Sequence, residues 1–161
     1  MDVSDFKTLF GDDIRAWLDW GAVDDENSRI EDLVISSREE LADLYTVWHV
    51  DPEGNPGEWS HPQHRPLTLA EAAAKQWPED RQGKIEHMRQ EFAEESGPVQ
   101  LTVPAYRTEG FLVVLDSNHR LVGAYLSGAD LRVLLVVLDG PSSSQVLPAT
   151  AQIENDQAER N

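Results

Sequence analysis

The sequence predicts a mixed α/β (α+β) domain with a small mixed sheet, flanking helices, and an acidic, mainly helical N-terminal extension. Hydrophobic residues make up 40% of the 161 residues, which is enough for a packed core. Apolar residues recur at helical spacing over much of the first 95 residues. The continuous apolar run 111–115 and the mainly apolar segment 131–138 are typical of buried strands.

The N-terminal part of the chain is predicted to be mainly helical. Apolar residues between Phe6 and Leu18 recur at helical spacing and predict a helix over 5–20, which Ser4 can cap. Ser37 and Glu40 form a capping-box pattern that opens a second helix reaching Tyr45. Residues 51–66 are rich in proline and glycine, so we expect a loop there.

Two further helices are predicted before the strands begin. Thr68 and Glu71 match a capping box at the start of a helix over 67–76. A helix over 84–95 places Ile85, Met88 and Phe92 on one face, and Gly97-Pro98 ends it.

Strands dominate the last part of the predicted core. Strands over 99–106 and 111–115 flank a turn at Gly110, and a helix over 121–127 ends at Gly128 before the strand 131–138. Residues 142–161 are polar and are predicted to be a disordered tail. We therefore expect one domain over 1–141, made of an acidic extension (1–60) and a core (61–141).

Composition excludes several classes of function. The formal net charge of −17 argues against binding DNA or RNA phosphates over a broad surface. The absence of cysteine excludes disulfides, thiolate metal sites and a cysteine nucleophile. No apolar run approaches the length of a membrane span, and the first residues lack a basic signal region, so we expect a cytoplasmic protein with no membrane partner.

The negative charge is concentrated in residues 1–60, which carry a net charge of −12. Asp12-Asp13, Asp24-Asp25-Glu26 and Glu31-Asp32 are the densest points. One interpretation is a surface for a basic protein partner, or carboxylates for Mg²⁺. The alternative, which we favour, is a set of solvated acidic faces that keep the protein soluble.

The turn between the strand 111–115 and the following helix contains the residues best suited to binding or catalysis. A helix N-terminus offers free backbone N–H groups and a positive dipole end, which attract an anion. Arg120 presents a planar fork of donors that suits phosphate, and His119 can donate a hydrogen bond or shuttle a proton. Asp116 is a candidate general base or metal contact. The alternative is a structural turn in which Asp116 or Ser117 caps the helix.

The segment 111–140, FLVVLDSNHRLVGAYLSGADLRVLLVVLDG, resembles the core of the ParB/sulfiredoxin superfamily. That core contains a strand, a phosphate-binding turn, a helix and a final strand. The resemblance covers about residues 84–139, and extends more weakly back to 64–67. Asn118 stands where sulfiredoxins have cysteine, so their repair chemistry is excluded. Ser117 replaces the usual glycine, and the DNA-binding helical domain of chromosome-partitioning ParB proteins does not follow.

The resemblance implies a nucleotide-binding enzyme that transfers or hydrolyses a phosphoryl group, with ATP or CTP and Mg²⁺ as cofactors and a small-molecule second substrate. Asp116 and His119 are the candidate catalytic residues. The candidate phosphate-binding residues are Arg65, Lys84, His87, Ser117, Asn118, His119 and Arg120. Two alternatives stay open. One is a non-catalytic regulatory or immunity-type protein with an acidic interaction face, and the other is an enzyme that holds a small anionic metabolite at the same turn.

The proline-rich loop contains two further candidate features. His61 and His64 suggest a metal pair, but they lack a third ligand in the sequence. Trp59 is a candidate for stacking on a base or substrate.

Overall fold

A mixed seven-stranded sheet with helices on both faces forms the body of the protein. The computed structural model describes residues 1–14, 18–23, 26–108, 110–140 and 144–160. The strands in this part of the chain are β1 (Arg29–Ile35), β2 (Tyr45–Val50), β3 (Pro56–Gly57), β4 (Arg65–Thr68), β5 (Val99–Thr108), β6 (Phe111–Val114) and β7 (Leu131–Asp139). The helices are α1 (Val3–Phe10), α2 (Arg38–Ala42), α3 (Leu69–Ala74), α4 (Glu79–Ala93), α5 (Asn118–Ser127) and α6 (Thr150–Arg160).

The strand order is β1-β7-β5-β6-β2-β3, with β4 also paired to β2. The long central strands β5 and β7 run parallel to each other, and β1 lies antiparallel to β7. Strands β5 and β6 form an antiparallel hairpin, and β2 joins β6 in parallel through Tyr45 and Val113. The mixed α/β class is therefore confirmed.

Each face of the sheet has its own hydrophobic core. On one face Trp48, Leu69, Ile85 and Leu121 belong to a cluster that joins the sheet to α3, α4 and α5. On the other face a second cluster includes α1 and α6; its largest members are Phe6, Tyr45, Tyr106, Leu147 and Ile153. Burial on both faces explains the apolar run 133–138 in the central strand β7.

Residues 1–60 differ from the predicted helical extension. They contribute β1 and β2 to the same sheet as the later strands. The cap at Ser37 is confirmed, since its hydroxyl accepts from the N–H groups of Glu39 and Glu40, but the helix ends at Ala42. The following sequence, YTVWHV, is β-branched and aromatic, so it is better suited to a strand than to helix.

The predicted first helix is also shorter than expected. Helix α1 ends at Phe10, and Trp20–Ala22 forms one turn of 3₁₀-helix. The middle of the predicted helix, residues 15–17, lies outside the described residues.

The predicted disordered tail contains α6 instead. Ile153 is fully buried and Asp156 is 4% exposed, where it accepts a 2.6 Å hydrogen bond from the Tyr45 hydroxyl. The helix docks although its sequence is polar, because its contacts are one buried apolar side chain, Ile153, and several hydrogen bonds. Composition therefore suggested disorder where tertiary contacts stabilise a helix.

The remaining elements follow the sequence patterns in part, since the predicted loop over 51–66 contains β3 and the start of β4, and the helix predicted over 67–76 spans only Leu69–Ala74. The capping box of Thr68 and Glu71 is confirmed in both of its hydrogen bonds. Gly128 ends α5 with φ of 76°, the left-handed conformation that glycine adopts without strain. Helix α4 begins at Glu79, five residues earlier than predicted, and no described helix is long and apolar enough to cross a membrane.

Helices α4 and α5 touch at Gly123. A Cβ atom at this position would lie 2.6 Å from the Met88 Cβ and 3.0 Å from the backbone nitrogen of Arg89. The missing side chain therefore lets α5 approach α4 closely, which brings the start of α5 next to the first turns of α4.

We expect Gly123→Ala to lower the free energy of unfolding by about 1–3 kcal/mol, because the added methyl group overpacks the contact between α4 and α5. Gly83→Ala is the matched control in α4, where nothing lies within 4 Å of the added Cβ. It should raise stability by about 0.5–1 kcal/mol, the usual helix preference for alanine. Urea denaturation of both variants measures the difference. Equal effects would contradict the tight contact.

Candidate functional site

The turn between β6 and α5 has a strained residue at its tip. Ser117 has φ 67° and ψ 28°, and it is the one non-glycine residue with positive φ in the described part of the chain. It occupies the N-cap position of α5, yet its hydroxyl makes no capping hydrogen bond. Glycine adopts this left-handed conformation without strain, whereas a serine pays a conformational cost there.

Asn118 ties this turn to β2. Its side chain is 4% exposed, and its Oδ1 accepts a 3.1 Å hydrogen bond from the backbone N–H of Val47. The Asn118 side-chain oxygen thus has a structural partner, and the role of Asn118 beside a bound phosphate stays a prediction. The contact places the first turn of α5 against the middle of β2.

His119 is half-buried against an aromatic side chain. Its ring centroid lies 5.0 Å from that of Trp48, in an edge-on arrangement. Burial lowers the pKa of His119 below its ordinary value, and the nearby charges of Lys84 and Arg81 lower this pKa further. The imidazole is therefore neutral near pH 7 and is able to accept a proton.

Arg81 is a part of this site that the sequence patterns did not reveal. Its guanidinium carbon lies 4.5 Å from the ring centroid of Trp48 and 4.4 Å from that of Trp77. The two tryptophan rings are themselves 5.1 Å apart and are almost fully buried. Burial lowers the pKa of Arg81. Such stacking holds a guanidinium in place without neutralising its charge.

Pro78 marks the start of the helix that contains Arg81, and this residue is visible in the sequence. A helix that begins directly after Pro78 places Arg81 and Lys84 one turn apart, on the same side as buried Ile85. The helix predicted over 84–95 does not include Arg81, whereas α4 begins at Glu79 and does.

We call Arg81, Lys84 and His119 the basic cluster. No carboxylate of the described residues forms an ion pair with any of them, and the same holds for Arg120, which is exposed in the first turn of α5. Five other arginines do pair with carboxylates, namely Arg29, Arg65, Arg89, Arg107 and Arg160. The basic cluster is thus an unneutralised positive region in a protein of net charge −17.

Two predicted phosphate ligands have other partners. Arg65 forms a 2.7 Å ion pair with Glu71, and its Nη1 lies 3.9 Å from an oxygen of Asp156. His87 is exposed, with its Nε2 3.6 Å from a carboxylate oxygen of Glu91. The structure therefore does not place either side chain in the basic cluster. Asp116 is half-buried within the turn, and its catalytic role stays a prediction.

The contacts of Arg65 belong to a network that fastens α6. Arg160 pairs with Asp156 and with Glu71. Burial opposes the charge of Glu71, but hydrogen bonds from Arg65, from the N–H of Thr68 and from Arg160 outweigh it and hold the pKa of Glu71 at about 2. Burial and the hydrogen bond to Asp156 raise the pKa of Tyr45 to about 12. These groups stabilise the fold, and Arg65 is one of them.

The described residues contain no group of three or more histidine, aspartate or glutamate side chains placed to hold a metal ion. His61 and His64 lie together with ring centroids 4.5 Å apart, but the Nδ1 of His64 accepts a hydrogen bond from the backbone N–H of Glu58. Trp59 is 38% exposed in the same loop, and its role in stacking stays a prediction.

Comparisons with protein-family models, with curated proteins and with solved structures find no significant match to this chain. The resemblance to the ParB/sulfiredoxin superfamily therefore remains a prediction based on the residues of the turn.

We expect Ser117→Gly to stabilise the protein by about 0.5–1 kcal/mol. Relief of the left-handed conformation is worth about 1–2 kcal/mol, and the greater freedom of glycine in the unfolded chain offsets part of it. Ser117→Ala should change stability little, since the hydroxyl makes no capping bond. Gly128→Ala, a control at a second left-handed position, should be destabilising. Thermal denaturation tests all three, and a loss of stability in Ser117→Gly would contradict the strain.

Proposed function

We propose that the protein binds the phosphate groups of a nucleotide at the basic cluster and the first turn of α5, and that it transfers or hydrolyses a phosphoryl group there. The observation that carries the proposal is Arg81, a half-buried guanidinium that lies against two tryptophan rings with no carboxylate partner among the described residues. A cation that is partly withdrawn from water and lacks a counter-charge favours an anionic ligand.

The chemistry of the site suits phosphate better than a single carboxylate. Guanidinium groups present several N–H donors to phosphate oxygens, and Arg81, Lys84 and Arg120 supply three positive charges. The first backbone N–H groups of α5 add donors at the positive end of the helix dipole. Transition states of phosphoryl transfer place negative charge on oxygens, which groups of this kind stabilise.

His119 is the candidate proton acceptor. In the proposed reaction an acceptor hydroxyl or water attacks the terminal phosphorus, the bond between this phosphorus and its bridging oxygen breaks, and the nucleoside diphosphate leaves with the electron pair. The proton of the attacking hydroxyl passes to His119, which is neutral because burial and neighbouring cations lower its pKa.

Mg²⁺ is compatible with this donor set. It commonly takes one or two protein carboxylates and completes its shell with phosphate oxygens and water. Asp116 is the one carboxylate in the sequence of the turn and would hold the ion. When bound, Mg²⁺ offsets negative charge on the phosphates.

The basic cluster equally suits a small anionic metabolite, which is our second candidate ligand. The two differ in whether the base and sugar of a nucleotide contribute to binding. Inorganic phosphate and diphosphate, compared with ATP and CTP, distinguish them.

We expect wild-type protein to bind ATP or CTP in isothermal calorimetry, and Arg81→Gln to weaken binding at least tenfold, since it removes a charge without a competing partner. Arg120→Ala should weaken it as well. Arg89→Gln is the matched control, because Arg89 lies in the same helix but is already paired with Glu86. Thermal denaturation checks that each variant is folded.

Absence of binding to every nucleotide, with or without Mg²⁺, would contradict nucleotide recognition. Binding of phosphate or diphosphate alone would then favour the small metabolite. Equal losses in Arg81→Gln and Arg89→Gln would place the ligand elsewhere.

We expect anion binding to strengthen as the pH falls. The pKa of His119 is lowered, so the ring gains its positive charge only in acid, and a bound anion favours that charged form. Sulfate keeps its double charge between pH 5.5 and 7.5, and its affinity should rise about three- to tenfold over this range, as one pKa unit of coupling predicts. His119→Asn should flatten the dependence, and an unchanged slope in this variant would exclude His119.

A further inference from the structure

A cavity lies between β1, α2, the hairpin of β5 and β6, and the end of α6. Its volume is about 780 Å³, which is within the range of small-molecule sites. Five of the side chains that line it are apolar, namely Leu33, Ile35, Leu44, Phe111 and Leu112. None of its lining residues belongs to the basic cluster or to the turn before α5. The cavity is therefore independent of the proposed phosphate site.

The floor of this cavity is an apolar part of the sheet that the helices leave partly exposed. Leu33 on β1 pairs with Leu135 on β7, so the two side chains lie on the same face of the sheet. Leu135 is fully buried, whereas Leu33 and Leu112 are only partly buried. The wall is lined by α2, a helix of only five residues. A concave apolar surface that remains accessible is typical of a ligand site.

Two carboxylates on the wall of the cavity have no partner in the described part of the chain. Glu40 lies in α2, and Asp43 follows the last residue of this helix. Neither side chain forms an ion pair or a hydrogen bond with a described residue. The Glu40 carboxylate is not used to cap α2 either, because the cap consists of bonds to the Ser37 hydroxyl.

The two arginines that line the cavity do not neutralise these carboxylates. Arg107 pairs with Glu31, with 3.3 Å between the nitrogen and the oxygen. Arg160 pairs with Glu71 and with Asp156. Both guanidinium groups therefore already have counter-charges. Two negative charges without a counter-charge remain beside the apolar floor.

We propose that this cavity binds a small apolar amine. The protonated nitrogen lies at Glu40 and Asp43 and donates hydrogen bonds to their carboxylates. The hydrocarbon body packs on the floor formed by β1 and β6, where its burial removes apolar surface from water. A neutral apolar molecule would leave both carboxylates without a counter-charge, and an anion of the same size would be repelled. The combination of floor and carboxylates thus selects the ligand class.

Three compounds with the same phenyl ring test the charge requirement. At pH 7 phenethylamine is positive, phenylethanol is neutral and phenylacetate is negative. In NMR titrations of the isotope-labelled full chain, phenethylamine should bind about five- to tenfold more tightly than phenylethanol, as two partly exposed ion pairs predict. The amide signals that shift should lie in β1, α2 and β6. Phenylacetate should not shift these signals.

Variants of the wall and of the floor test the two parts of the site separately. Glu40→Gln combined with Asp43→Asn should lower the affinity for phenethylamine to that for phenylethanol. Glu39→Gln combined with Glu94→Gln is the matched control, because it removes two exposed charges that do not line the cavity. Leu33→Trp fills the floor and should abolish binding of both compounds. Thermal denaturation checks that each variant is folded.

Four results would each overturn the proposal. They are no binding of phenethylamine, equal affinities for phenethylamine and phenylethanol, equal losses in the two double variants, and shifted signals confined to α4 and α5. Arg81→Gln should bind phenethylamine as wild type does, so failure of the phosphate site and failure of this cavity are distinguishable.

Discussion

A hydrogen bond from the Val47 N–H to Asn118 Oδ1 joins strand β2 to the first turn of α5, and the position of the candidate site depends on this contact. It fixes the first turn of α5 against β2, beside the parallel pairing of β2 with β6. From this position Trp48 meets His119 on one face of the sheet, while Tyr45 meets α6 on the other. A strand from the first third of the chain thus serves both faces.

Arginine side chains have different kinds of partner at the two faces of the sheet. At α6, Glu71 and Asp156 form ion pairs with the guanidinium groups of Arg65 and Arg160. This network neutralises the charges and stabilises the docked helix. At the other face Arg81 is held by aromatic rings instead, and its charge remains available. In a protein with more than twice as many acidic as basic residues, a half-buried arginine without a carboxylate partner among the described residues is the feature on which the proposed anion site rests.

Predictions from the sequence patterns are correct where the structure depends on residues that are close together in the chain. The strand runs, the capping box at Thr68 and the glycine stop at Gly128 each depend on residues within a few positions of one another. They failed at β2 and α6. A helical cap at Ser37 concealed the strand that starts at Tyr45, and α6 is ordered by partners more than a hundred residues away, such as Tyr45. Local propensity carries no information about such partners.

The sequence by itself determined the α/β class, the central strands and the strand–turn–helix unit with His119 and Arg120, because apolar runs and turn residues act over short distances. Only the tertiary structure decided which cations share a site. In the structure Arg81 lies near His119, Arg65 forms an ion pair with Glu71, and His87 is exposed. The reason is that ion pairing and stacking depend on where separate elements pack, and close contacts such as that at Gly123 set those positions.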